Sequence, residues 1–185
     1  ADPGYQSLCT YYLSDIHQLR PNWKLLNPLK KSIKFLSYFA HPDGSFGGHY
    51  GSRSTRFYYP AGIDFLSDQI FEASQLSRFM AKSILNQNVV SLSSIDEPNL
   101  IPTFNSYCWS AVLHAHKNSI DSKSIELPAL NNKPFRKFFP ESGLVVDKGK
   151  NHYSVISTKK GGIVYHFIKN KKIISPGMMK KHYSP

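Results

Sequence analysis

Acidic side chains are scarce in this chain of 185 residues: 12 Asp and Glu stand against 23 Lys and Arg, leaving a formal charge of +11. Such a balance predicts polyanionic partners: nucleic acid, an anionic lipid surface or an acidic polysaccharide. The lysines are scattered (Lys30, Lys31, Lys34, then Lys169, Lys171, Lys172, Lys180 and Lys181), a pattern equally that of a solvated face. Cysteine is nearly absent. Cys9 and Cys108 form neither a disulfide framework nor a metal-ligand spacing, although one disulfide between them stays open. No apolar run of about eighteen residues occurs, which excludes a membrane span. The GxGxxG spacing of a phosphate loop is missing, since Gly47 and Gly48 run straight into His49 and Tyr50. His114 and His116 fall on different faces of a helix and make a poor metal site. No zinc spacing, recognition-helix pattern or RNP-like strand marks a nucleic-acid module. These absences leave no expectation of a metal, a cofactor or a nucleic-acid partner.

What is present points to a folded core. Hydrophobic residues make up 41% and aromatics 14% of the chain. Its length suits one domain or pieces of two. It opens ADPGYQSL and stops at MMKKHYSP, so we expect a piece of a longer protein. A missing targeting signal then carries no weight.

Helical periodicity dominates the first part. Leu8, Tyr12, Ile16 and Leu19 form one stripe, stopped by Pro21, and Leu29, Ile33 and Leu36 form a second, with Lys30, Lys31 and Lys34 opposite. Ile63, Leu66, Ile70, Ala73, Met80 and Ile84 predict one long third helix. Phe104, Cys108, Ala111 and Ala115 predict a fourth, started by Pro102 and capped by Thr103. Residues 128–143, PALNNKPFRKFFPESG, read as a Pro-rich connector. Beyond it, Leu144–Val146, Tyr153–Ser157, Ile163–Ile168 and Lys172–Ile174 read as strands, separated by turns at Asp147–Gly149 and Lys160–Gly162. Helices followed by strands predict an α+β class, with a helical part over 1–127, a connector over 128–143 and a β part over 144–185.

One loop stands apart: HPDGSFGGHYGSRSTRFYYPAG, residues 41–62. Its glycines permit close backbone approach to a ligand. Arg53 and Arg56 offer planar forks for carboxylate or sulfate. Tyr50, Tyr58 and Tyr59 offer faces that stack on sugars, and His41, His49 and Tyr50 offer proton donors and acceptors. The cluster fits recognition of an anionic chain. Equally, such a loop can pack over the mouth of a helix bundle, its arginines capping carbonyls.

The order DPGYQSLCTYYL, a helix, HPDGSFGGHYGSR and then PAG opening a long helix resembles the last helical hairpins of the heparinase II/III-like polysaccharide lyases. FPESGLVVDKGKNHYSVISTKKGG resembles the first strands of that family's β-sandwich. The likeness covers most of the chain, least over residues 85–130. It implies a partial (α/α) toroid followed by antiparallel sandwich strands. It also implies cleavage of uronate-containing glycans by β-elimination, no cofactor, an acidic polysaccharide or oligosaccharide partner, and a periplasmic or secreted location. The family's GxY helix start matches Gly4-Tyr5, making Tyr5 the candidate catalytic tyrosine; the plainer alternative is a core aromatic. His49, Tyr50 and Arg53 join it as catalytic candidates from their chemistry, while His41, Arg56, Tyr58 and Tyr59 are candidates for substrate binding. His152 could reach the cleft as sandwich histidines do in the family, or simply sit on a polar strand face. The family's Asn–His element lies earlier in the toroid than the first residue here, so the piece alone is not expected to turn over.

Two other classes compete. Cys108-Trp109, His152 and Asn170 follow the residue order of papain-like cysteine peptidases, but Cys108 sits on an apolar stripe that predicts a buried, inert thiol. A non-catalytic polysaccharide-binding module would use the same loop without a complete acid–base set.

Overall fold

The computed structural model describes residues 1–115, 124–168 and 171–175. Among them, helices α1 Pro3–Leu19, α2 Leu26–Leu36, α3 Ala61–Phe65, α4 Phe71–Leu85 and α5 Glu97–Ala115 precede every strand. The strands are β1 Phe135–Phe139, β2 Leu144–Lys148, β3 His152–Ser157, β4 Val164–Ile168 and β5 Lys171–Ser175. The class is α+β, as the helix-then-strand order predicts. The described strands pair antiparallel in sequence order as one sheet, with no second sandwich sheet among them. No described helix is long and apolar enough to cross a membrane.

Helix α1 starts as its sequence dictates. Asp2 is extended, and its Oδ1 accepts from Gly4 N at 3.1 Å and Tyr5 N at 3.3 Å, with Pro3 in the first turn. The buried face is not the expected one. Tyr12 is 48% and Leu19 78% exposed, whereas Gly4, Ser7, Thr10, Tyr11 and Ser14 are buried. The cause is the backbone of α3, which comes so near that a Cβ on Gly62 would lie 2.5 Å from Tyr11 Cα. Only small residues fit there, and their hydroxyls satisfy the backbone. Ser14 Oγ donates to Gly62 O at 3.0 Å, and Ser7 Oγ accepts from Tyr59 N at 3.1 Å.

Helix α5 repeats the arrangement on the other side. It buries Thr103, Ser106 and Ser110, and Ser106 Oγ accepts from Ala61 N at 3.2 Å. Phe104, Cys108 and Ala111 are therefore exposed, which corrects both the expected stripe and the expected buried thiol. Thr103 lies inside the helix, which starts at Glu97 and carries Pro102 within it.

Helix α2 buries Leu29, Ile33 and Leu36 and exposes Lys30, Lys31 and Lys34 as expected, each buried aliphatic contributing about 2 kcal/mol. The single long third helix divides into α3 and α4. Ser67 Oγ donates to Asp64 O at 2.8 Å and ends the first piece, and Ile70 is extended before the second begins. Ile63, Leu66, Ile70, Ala73 and Met80 are nonetheless all buried, so the stripe survives the break.

The supposed connector contains β1, bracketed by Pro134 and Pro140. Alternation then sorts the sheet: Leu144, Val146, Tyr153, Val155, Tyr165 and Phe167 join the same apolar core as Leu29, Ile33 and Leu36. Aromatic contacts tie the layers together, with Phe35 and Phe139 at 5.1 Å and Tyr153 Oη donating to Tyr38 O at 2.6 Å. The hydrophobic core is thus continuous across residues 128–143.

Candidate functional site

The loop at 41–62 divides its residues between inside and outside. Tyr50, Tyr58 and Tyr59 are at most 2% exposed. Phe46 packs edge-on against Tyr58 at 4.9 Å, and Tyr50 lies 5.0 Å from Tyr165 of β4. Their faces are occupied by protein, so they offer no stacking surface to a sugar. Burial pushes the Tyr50 phenol well above its usual range, with Tyr153 and Tyr165 adding to the shift, and burial does the same at Tyr58. Neither phenol is suited to act as a base near neutrality.

His41 is buried as well, inside a polar chain. Tyr50 Oη is 2.8 Å from His41 Nε2, His41 Nδ1 is 2.9 Å from Ser45 Oγ, and Ser45 Oγ donates to Asp43 Oδ1 at 2.6 Å. Because Ser45 gives its proton to Asp43, it accepts from His41 Nδ1–H, and Nε2 accepts from Tyr50. His41 thus organises the loop from within and is not placed to meet substrate.

The outward set is smaller. Tyr5, His49, Arg53 and Arg56 are exposed. His49 donates its backbone N–H to Tyr165 Oη at 3.1 Å. Tyr5 and Arg53 line one open cleft of about 410 Å³, together with Asp2, Gln6 and Ser52. The Tyr5 ring stands edge-on to Phe57 at 5.4 Å. Gln6 is held by Ser32, donating from Nε2 to Oγ at 2.7 Å.

The backbone bearing Arg53 is fixed from two sides. Ser54 N donates to Gly51 O at 3.1 Å, which closes a turn. From the helices, Asp2 Oδ2 accepts from Arg53 N at 2.8 Å, and Asp2 Oδ1 accepts from the Thr55 hydroxyl. From the sheet, Lys160 Nζ reaches Gly51 O and Ser54 Oγ. Asp2 is therefore consumed by backbone and hydroxyl donors, and it leaves the guanidinium alone. No ion pair of Arg53 or Arg56 occurs among the described residues.

His152 lies elsewhere. Its Nε2 is 2.8 Å from Asp147 Oδ2, while Arg136 Nε donates to Asp147 Oδ1 at 2.7 Å. The hydrogen bonds from His152 and then Arg136 hold the Asp147 carboxyl below its usual range. His152 lines a second, separate hollow and not the Tyr5–Arg53 cleft. Cys108 is on α5 and His152 is bonded within the sheet, so no nucleophile pair joins them. Asn170 and His116 lie outside the described residues. No set of three His, Cys, Asp or Glu side chains able to hold a metal gathers among the described residues.

Asp2, Gln6, Ser52 and Lys160 were not foreseen. Asp2-Pro3 carries a helix-start signal that locates the first of them, but no local signal links Lys160 to a turn over a hundred positions earlier. No family model, curated protein or solved structure matches the chain.

Proposed function

We propose that the cleft between Tyr5 and Arg53 binds an acidic, uronate-bearing glycan, and that the complete protein acts on it as a β-eliminating polysaccharide lyase. One observation carries this reading: a guanidinium with no carboxylate partner among the described residues faces an open cleft beside a tyrosine. A planar fork of this kind accepts a carboxylate in two parallel hydrogen bonds.

The chemistry follows from that contact. Arg53 offsets charge on the uronate carboxylate, which makes the proton on the adjacent carbon more acidic. A base removes that proton, the electron pair forms a carbon–carbon double bond, and the glycosidic carbon–oxygen bond breaks. The leaving oxygen takes a proton from an acid. Tyr5 lines the cleft and is the group offered for one of these transfers, while His49 is exposed on the loop that carries Arg53 without lining the cleft. The likeness of Gly4-Tyr5 and of the 41–62 loop to heparinase II/III-like lyases supports the same assignment.

A second reading has its own support. With His41 and Tyr50 in the core, two of the foreseen proton donors and acceptors are out of reach, which favours binding without turnover. Incubation with acidic polysaccharides, followed by the ultraviolet absorbance of an unsaturated uronate, separates the two. Calorimetry with acidic oligosaccharides tests the cleft itself. Arg53→Ala is expected to weaken binding roughly tenfold or more. Equal binding by this variant would remove the cleft from the function.

A further inference from the structure

We infer that the hollow between the Pro42–Asp43 turn and the β2–β3 hairpin is a second subsite, for a sugar ring bearing an anionic group. It rests on the acidic-glycan reading for its choice of ligand, but on different residues. The hollow has a volume of about 220 Å³. That is roughly seven times the share of one liquid water, which suits a single sugar residue.

Its lining combines two chemistries. Tyr153 and Phe167, only 1% and 5% exposed, close its base, and Lys148, Lys150, Asn151 and His152 give a polar, cationic wall. The base is rigid. Phe167 stacks on His41 at 4.7 Å, and Tyr153 is tied to the Tyr38 carbonyl. Both rings are too deeply buried to stack on a sugar, so they only shape the floor, while ammonium groups at its edge take the carboxylate.

The wall is equally prepared. Asp147, itself bridged to Arg136, fixes the His152 ring through Nε2. The ring lies against the backbone of Gly149, where an added Cβ would meet His152 Cε1 at 2.2 Å. With Nε2 taken by the carboxylate, Nδ1 is the ring nitrogen left to meet a ligand. Neither Lys148 nor Lys150 forms an ion pair among the described residues, so their charge is not spent within the protein. One carboxylate does share the hollow, Asp43, and its Oδ1 is turned to Ser45, accepting from the backbone N at 3.0 Å and from the hydroxyl.

Backbone amide shifts of the full chain test this, because they read the two places separately. Titration with an acidic oligosaccharide is expected to move amides at 148–152 as well as those at 51–55. A neutral oligosaccharide of equal length and inorganic phosphate should each move the hairpin far less. Lys148→Met with Lys150→Met should weaken the hairpin response roughly tenfold while leaving the 51–55 response and the thermal midpoint intact. A hairpin that stays still while 51–55 saturates overturns the subsite and leaves the first cleft standing. A hairpin response without any at 51–55 does the reverse. Equal shifts with neutral sugar, equal shifts with phosphate, or no effect of the double substitution each overturn the assignment.

Discussion

Lys160 donates through Nζ to the carbonyl oxygen of Gly51 at 2.8 Å, so a turn of the sheet holds the turn that carries Arg53. The same ammonium reaches Ser54 Oγ at 2.6 Å. Gly51 O already accepts from Ser54 N, so the lysine completes a carbonyl with two partners. We predict that Lys160→Met weakens acidic-oligosaccharide binding several-fold and lowers stability by about 1 kcal/mol, the scale of one half-exposed hydrogen bond to a charged group. Calorimetry and denaturant midpoints read the two effects, and Lys160→Arg should restore part of both. Unchanged affinity in the methionine variant would show that the sheet does not position the cleft.

Tyr58 offers an opposite case. Its hydroxyl is buried with no hydrogen-bond partner among the described residues, a group that costs free energy by losing water without compensation. Tyr58→Phe is expected to stabilise the fold by about 1 kcal/mol and raise the thermal midpoint by about 2–4 °C. A drop in midpoint would mean that the hydroxyl is satisfied in solution.

Gly62 of α3 lies directly against α1, and what a side chain there would strike is backbone. The Cβ of an alanine would sit 2.5 Å from Tyr11 Cα and 2.7 Å from Tyr11 N. The helices must part, so Gly62→Ala is expected to cost about 2–3 kcal/mol, read from urea unfolding. A change below about 0.5 kcal/mol would show that α3 is free to shift.

Alkali should unfold this protein before its buried tyrosines ionise. Burial holds Tyr50, Tyr58 and Tyr153 well above the usual phenol range, and Tyr107 is pushed up to about 12 by burial and then by Tyr59. An unfolded tyrosine ionises near about 10, so above that pH the unfolded chain releases protons that the folded one keeps. Stability therefore stays level to about pH 9 and falls with a slope of up to about 1.4 kcal/mol per pH unit for each such tyrosine. Phenolate absorbance from all 11 tyrosines in a single step near pH 10, with native circular dichroism, would contradict this.

The parts of the fold legible in the sequence are those set by local patterns. Leu29, Ile33 and Leu36 announce α2, and runs such as Tyr153–Ser157 announce strands, because β-branched and aromatic residues between Gly-rich turns suit no other element. The stripes of α1 and α5 misled, since burial there was decided by the closeness of α3, and closeness selects small residues over apolar ones. Strand β1, FRKFF, has no β-branched residue and stands between prolines, so its pairing with β2 supplies what its composition lacks. In the loop, residue type alone could not sort the buried tyrosines from the exposed Arg53. Whether Tyr50 faces water depends on Phe39 and on Tyr165, a residue far along the chain.

The exposed outer faces of α1 and α5 have a consequence for how molecules meet one another in solution. Tyr12, Ile101, Phe104 and Val112 are uncharged side chains on a molecule whose formal charge is +11. At low ionic strength mutual repulsion keeps copies apart. Added electrolyte shortens that repulsion to about 8 Å near physiological concentration and leaves the greasy stripes untouched. Light scattering should therefore show larger particles as salt rises, while affinity for a uronate chain declines over the same range.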